Sequence, residues 1–356
     1  MLKPFNYKLF LENINSKYRK IIHKRSDQLP KKLSENAPFP KNCLVEISNS
    51  CNHECIFCNS PRMERRLNKL NEKTYEKFIS QSVQHGMEEV GLYSTGEPFM
   101  SKNLNWFIKT AKENGIKRVY ITTNGSLASI DKVKSAKKAG LDSIKFSINS
   151  ATKENYLLVH GKNDFDKVTQ NISNIFKWKK DENIDLEMLG SFIYTDKTKH
   201  EIDLFKKTFD KYLLATMIIP AGTQGGRFNS DIKKISTPSR VKKSKDDIHP
   251  CSFLWDRIIL TCEGYITACA VDYELDLVYA DFRNSELDIS EIWNNNIIKE
   301  LRKKHLNKDL NNLVCKNCLY GTNDAYKKIM NVSYEKKRNE KNEKKVTDRM
   351  QDFQIK

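Results

Sequence analysis

The stretch Cys43-Leu44-Val45-Glu46-Ile47-Ser48-Asn49-Ser50-Cys51-Asn52-His53-Glu54-Cys55-Ile56-Phe57-Cys58 decides how this chain folds. Apolar and β-branched residues predict a strand over Leu44 to Ser48, and the loop behind it carries three thiols, Cys51, Cys55 and Cys58, within eight residues. Thiolates this close together can converge on one metal centre, a grouping that chance rarely draws from nine cysteines in 356 residues. Two kinds of centre fit. Zinc takes a fourth ligand, which His53 offers, or keeps one position open for catalysis. A four-iron cubane on three cysteines leaves one iron for something other than protein.

Outward from this loop the chain alternates short apolar runs with longer amphipathic segments. Further strands are predicted over residues 89–94, 118–122, 143–148, 186–194 and 213–219, and helices over 71–85, 102–114, 130–139, 165–180 and 200–211. Gly115 and Gly140 each follow a helix at the position where a left-handed backbone ends it. Six right-handed βα units curl into a partial parallel barrel whose functional groups sit at the C-terminal strand ends. The predicted class is α/β: a partial (β/α)6 TIM-like barrel over residues 43–220, then a linker over 221–250 and a small cysteine-rich α+β domain over 251–320. A basic amphipathic extension (1–42) and a charged tail (321–356) flank them.

With Phe57 directly before the third cysteine, C-x3-C-x2-C behind strand one resembles the motif of the radical S-adenosylmethionine (radical SAM) superfamily, a resemblance that covers residues 43 to about 220. Ser94-Thr95-Gly96-Glu97-Pro98, at the end of strand two, is similar to the family's Gly-Gly-Glu-Pro motif, with Thr95 in place of the first glycine. It implies that the backbone around Gly96 and Glu97, with neighbouring groups, holds the methionyl amino group of the cofactor. Thr122-Thr123-Asn124-Gly125 resembles a turn common in the superfamily. Ser147 and Asn149 stand where members place polar groups near the ribose and carboxylate, and Gly190 where they pack against adenine. Each piece alone also reads as an ordinary turn, strand end or core residue. Their succession at the ends of consecutive strands carries the assignment.

The resemblance implies a catalytic 4Fe-4S cluster on Cys51, Cys55 and Cys58, with its open iron chelated by S-adenosylmethionine. One electron from the reduced cluster breaks the C5′–S bond, and the 5′-deoxyadenosyl radical takes a hydrogen atom from a substrate positioned by the barrel. A flavodoxin- or ferredoxin-type reductant is the implied partner.

The second group, Cys251-x12-Gly264-x4-Cys269 and then Cys315-x2-Cys318, resembles the SPASM unit in its shortened, twitch form. Gly264 turns a hairpin between residues 257–261 and 265–269, and the four cysteines imply one auxiliary 4Fe-4S cluster. No cysteine follows Cys318, so no second auxiliary cluster is expected. A four-thiolate zinc ribbon has the same ligand count. Cys43 and Cys262 read as small buried residues, with Cys262 a reserve ligand. A closed auxiliary cluster can relay an electron or take one from a substrate radical. The spacing is similar to that of the inosamine dehydrogenase of aminoglycoside biosynthesis, which implies oxidation or epimerisation of a sugar- or cyclitol-like small molecule. Arg227, His160 and Asp272 are polar groups in suitable regions, and the sequence assigns the proton transfer to none of them. A ribosomal-peptide maturase is the alternative. Against it, the 42 residues before Cys43 are fewer than the leader-recognition domain such enzymes often carry.

The net charge of +17 raises a third reading, a zinc-bound nucleic-acid-binding protein. Residues 1–41 hold +7 and residues 321–356 hold +4, which leaves only +6 for the 279 residues between. The middle lacks the aromatic stripe interleaved with Lys and Arg that single-strand binding calls for, so no nucleic-acid partner is expected. Phe5, Leu9, Phe10, Ile14, Tyr18, Ile21 and Ile22 lie at helical spacing opposite a basic face, which suits docking on the main domain or peripheral membrane contact. No run is long enough for a transmembrane segment or shaped as a signal peptide, and the cysteine grouping fits a cytoplasmic protein.

Overall fold

The computed structural model describes residues 32–227, 235, 245 and 248–336. Most of the N-terminal extension with its amphipathic face, most of the 228–247 stretch and the tail beyond 336 lie outside the described residues.

Six strands run parallel in sequence order: β1 (Asn42–Val45), β2 (Glu89–Gly91), β3 (Arg118–Thr123), β4 (Ser143–Ser147), β5 (Glu187–Tyr194) and β6 (Ala215–Pro220). Alternation along them sorts the side chains. Cys43, Val45, Val90, Val119, Ile121, Ile144, Phe146, Met188 and Phe192 enter one buried core with the helices. The opposite parity, including Tyr93, Thr122, Lys145, Ser147 and Ser191, turns to the concave face.

The helices on the convex side are α1 (Glu72–Gln84), α2 (Leu104–Glu113), α3 (Ile130–Ala139), α4 (Lys153–His160), α5 (Phe165–Asp181) and α6 (Ile202–Phe209). Their ends follow local chemistry. Asn71, Ser129 and Thr152 accept backbone N–H bonds at the starts of α1, α3 and α4, and Gly140 closes α3 in a left-handed conformation. The short α4 was not among the predicted helices, because Lys153–His160 spans little more than two turns.

Beyond the barrel the expected hairpin forms: β7 (Ile258–Leu260) pairs antiparallel with β8 (Tyr265–Thr267), and β9 (Val278–Asp281) adds a third strand. The sheet does not stop between the two units. β7 lies parallel beside β1, with Cys43 opposite Ile258, giving one nine-stranded sheet in the order β6-β5-β4-β3-β2-β1-β7-β8-β9. The edge of β1 is thus covered, which removes a row of open hydrogen-bonding groups. Helices α7 (Phe253–Asp256), α8 (Ile289–Trp293), α9 (Asn296–Leu306) and α10 (Val314–Tyr320) complete this part.

Packed chain also extends past the predicted boundaries. The Trp255 indole donates to Ser34 O, the Trp293 indole to Pro38 O and Arg302 to Glu35 O, so the segment before β1 clasps the second unit. Met330, Val332 and Tyr334 pack on Tyr265, Leu275 and Val278, so the structured chain runs beyond residue 320. Among the described residues no helix is long and apolar enough to cross a membrane.

Candidate active site

The loop from β1 to α1 delivers Cys51, Cys55 and Cys58 to the C-terminal edge of the parallel strands. It is fastened on three sides. Glu54 and Ile56 donate backbone N–H groups to His160 O and Val159 O at the end of α4. Asn124 donates to Asn52 Oδ1 at 2.9 Å, and Asn52 donates to Ser126 Oγ at 2.8 Å. Gly96 lies flat against the loop: a Cβ there would stand 2.3 Å from Ser48 O and 2.8 Å from Ser50 O, a close approach open only to glycine.

Glu97 is buried and fully engaged. Its carboxylate accepts from Thr123 Oγ1 at 2.7 Å, Asn124 N at 2.8 Å and Phe99 N at 3.1 Å, stapling the β2 and β3 loops together. Ser147 and Asn149 face each other at 3.0 Å, and Asn149 accepts the Ile193 N–H at 2.9 Å while holding φ at +61°. Phe57 is buried with Ile56, Val159, Ala221 and Ile235. Gly190 takes a different place from the expected one: its Cβ direction runs into Leu213 and Thr216 on the helix side of β5. The residue that β5 turns inward here is Ser191, in register with Ser147 and Met217.

His53 and His160 sit behind Cys55. His160 Nε2 donates to Ile148 O at 2.8 Å, its Nδ1 is 3.2 Å from both Cys55 Sγ and His53 Nδ1, and His53 Nε2 is 3.1 Å from Asp164. Burial, reinforced by His53, pulls His160 down to about 3, so the ring stays neutral. Asp272 accepts from Thr267 Oγ1 and from the N–H groups of Asp276 and Leu277, and Arg227 pairs with Asp276. These contacts tie His160, Asp272 and Arg227 to neighbouring protein groups.

The second group closes from three directions. Cys251 precedes α7, Cys269 follows β8, and Cys315 and Cys318 share one face of α10. Cys315 is raised well above the usual thiol range, by burial first and then by Cys269, Cys251 and Cys318, so the four thiols sit within one another's field. Cys262 lies apart from them, buried beside Glu46 and Glu263, and Cys43 is buried in β1 with its sulfur 3.7 Å from Glu89 O. No disulfide joins any of the nine cysteines.

Sequence reasoning missed what ties the two groups together. Arg65, almost fully buried, reaches Glu46 of the barrel at 3.1 Å, Glu263 of the hairpin turn at 2.7 Å and Tyr273 O at 2.7 Å. The Tyr273 hydroxyl lies 3.4 Å from Cys58 Sγ and 2.6 Å from Gln224 Oε1. Nothing local marks Arg65 or Tyr273 in the sequence.

Residues 45–202 match the Radical SAM superfamily, and residues 251–319 match the SPASM iron-sulfur cluster-binding domain. The chain belongs to the radical SAM superfamily. A probable GTP 3′,8-cyclase of Sulfurisphaera tokodaii is 30% identical over 37% of this chain and 42% of its own length, so the match spans about two-fifths of that relative. Among solved structures, BtrN in complex with AdoMet and 2-DOIA aligns with a TM-score of 0.54 at 16% identity, over 80% of this chain and 93% of BtrN. Streptococcus suis SuiB bound to precursor peptide SuiA aligns with a TM-score of 0.59 at 15% identity, over 80% of this chain and 70% of SuiB. Identities this low establish the fold alone.

A radical SAM chain with a SPASM domain takes a catalytic 4Fe-4S cluster with S-adenosylmethionine, and auxiliary iron-sulfur chemistry besides. The donor set suits those groups. Burial pushes the Cys51 and Cys251 thiols up to about 12, so their thiolates need a nearby cationic centre to form. Among the described residues, the sets of three or more ligand atoms within 4.8 Å of one another are His53–Cys55–His160 and Glu46–Cys262–Glu263. Neither cysteine group closes to the roughly 3.8 Å sulfur–sulfur edge of a tetrahedral zinc with bonds of about 2.3 Å.

Proposed function

We propose that this radical SAM protein oxidises or epimerises a polar, sugar- or cyclitol-like small molecule. In this reading Cys51, Cys55 and Cys58 hold the catalytic cluster, and Cys251, Cys269, Cys315 and Cys318 hold a single auxiliary one. When bound, the first cluster with S-adenosylmethionine supplies hydrogen-atom abstraction, and the second supplies an electron relay or acceptor. The chain's own residues shape where that happens. Asn124 and Gly96 fix the cysteine loop, Glu97 braces the strand-end loops, and Ser147, Asn149 and Ser191 line the cofactor side of the barrel.

The observation that carries the substrate class is the concave face. Thr122 and Lys145 are register partners there, beside the cofactor-side pair Ser147 and Ser191, and Lys145 Nζ lies 5.9 Å from the Tyr93 ring. A face with hydroxyls, a cation and two packed aromatics, Tyr93 and Tyr120, suits a hydroxylated ligand better than an apolar one. Oxidising an alcohol removes a hydrogen atom from carbon, a proton from oxygen and one further electron, and a second redox group gives that electron a destination. We place the enzyme in the cytoplasm with a flavodoxin- or ferredoxin-type reductant, in keeping with nine cysteines outside disulfides.

Deuterium transfer tests the reading. Cyclitols and amino sugars labelled at each carbon, GTP and a candidate precursor peptide are incubated with the reconstituted enzyme and S-adenosylmethionine. Deuterium in 5′-deoxyadenosine from a cyclitol or sugar supports the proposal; transfer from the peptide or from GTP alone overturns it.

A further inference from the structure

The Tyr273 hydroxyl has one proton and two acceptors in reach, Gln224 Oε1 at 2.6 Å and Cys58 Sγ at 3.4 Å. While Cys58 is a thiol the arrangement is simple: Tyr273 donates to Gln224, and the S–H donates to the phenol oxygen. When Cys58 ligates a metal as thiolate, its proton is gone and the sulfur becomes an acceptor. The same heavy atoms then satisfy every group after one rearrangement. The tyrosine turns its O–H to the sulfur, and the Gln224 amide turns its NH2 to the phenol oxygen.

Both residues are anchored to the second cysteine group. Tyr273 is buried, its carbonyl accepts from Arg65 Nε at 2.7 Å, and Asp272 pins the segment between Cys269 and Leu277 through Thr267, Asp276 N and Leu277 N. Thr223, next to Gln224, donates to Cys318 Sγ at 3.7 Å. A donor aimed at a ligand of the first cluster is therefore held in place by the loops that carry ligands of the second.

We propose that Tyr273, oriented by Gln224, is a positioning residue that donates a hydrogen bond to the Cys58 thiolate, raises the reduction potential of the catalytic cluster and couples it to occupancy of the auxiliary site. The proposal rests on Cys58 being a cluster ligand. A hydrogen bond to a ligating sulfur stabilises the extra electron of the reduced state, so its removal lowers the potential.

The test is a redox titration of the anaerobically reconstituted holoenzyme by electron paramagnetic resonance, following the signal that S-adenosylmethionine perturbs. Tyr273→Phe is expected to keep the wild-type iron content and titrate at lower potential. Gln224→Leu is expected to shift the same way by less, and serves alone if Tyr273→Phe fails to hold iron. Cys315→Ala is expected to lower the catalytic potential too, with no further drop when Tyr273→Phe is added. Wild-type potentials in both Tyr273→Phe and Gln224→Leu, a wild-type catalytic potential in Cys315→Ala, or additive shifts in the Cys315→Ala/Tyr273→Phe double variant overturn the proposal. A wild-type protein without a four-iron cluster would instead show that the ligand assignment beneath it is wrong.

Discussion

Arg65 and Glu263 meet at 2.7 Å, although one follows the first cysteine triad and the other forms the hairpin turn of the second unit. Glu46 at the end of β1 completes the triad at 3.1 Å from the same guanidinium. Arg65→Met leaves two buried carboxylates without their cation, which costs roughly 3–5 kcal/mol. The expected outcome is a clear fall in the midpoint of urea unfolding with intact secondary structure at zero urea. An unchanged midpoint would show that the two units hold together without this triad.

Burial pushes the Glu46 carboxyl up, but Arg65 and the donors Thr95 and Cys262 N–H outweigh it and hold the group down at about 2. A folded pKa below the ordinary 4.5 adds stability that is complete above that pH and is lost as pH falls toward 2. Unfolding titrations should therefore show an acid limb between those values, and Glu46→Gln should flatten it. A limb unaltered by that substitution would assign acid sensitivity to other groups.

Gly96→Ala forces a methyl into Ser48 O and Ser50 O and so displaces the loop that carries Cys51. Misplacement of about 1 Å costs on the order of 100-fold in rate, so S-adenosylmethionine cleavage should drop by about that factor, with reduced iron retention. Gly222→Ala is the matched control, since a Cβ at Gly222 meets nothing within 4 Å. Equal behaviour of the two variants would remove the special role given to Gly96.

Much of the fold was readable from local pattern. The six parallel strands and the hairpin turning at Glu263-Gly264 follow from runs of a few residues, and the two cysteine groups follow from spacing. Facing was harder. From Leu186 to Ile193 nearly every residue is apolar or small, so parity could not be read, and Gly190 emerged on the helix side with Ser191 inward. Contacts between distant segments left no trace at all: Tyr273 reaches Cys58 across 215 positions, and Arg65 reaches Glu263 across 198. The pairing of β7 with β1 was hidden for the same reason, because a three-residue strand does not announce its neighbour.

The division of seven cysteines into an open triad and a closed tetrad is the central claim, and iron content of anaerobically reconstituted protein tests it most directly. Two four-iron clusters require about eight irons per wild-type chain, and about four each in Cys55→Ala and Cys315→Ala. Cys55→Ala should form no 5′-deoxyadenosine, whereas Cys315→Ala should retain uncoupled cleavage. One zinc and no iron in the wild type, or full cleavage by Cys55→Ala, would contradict the account.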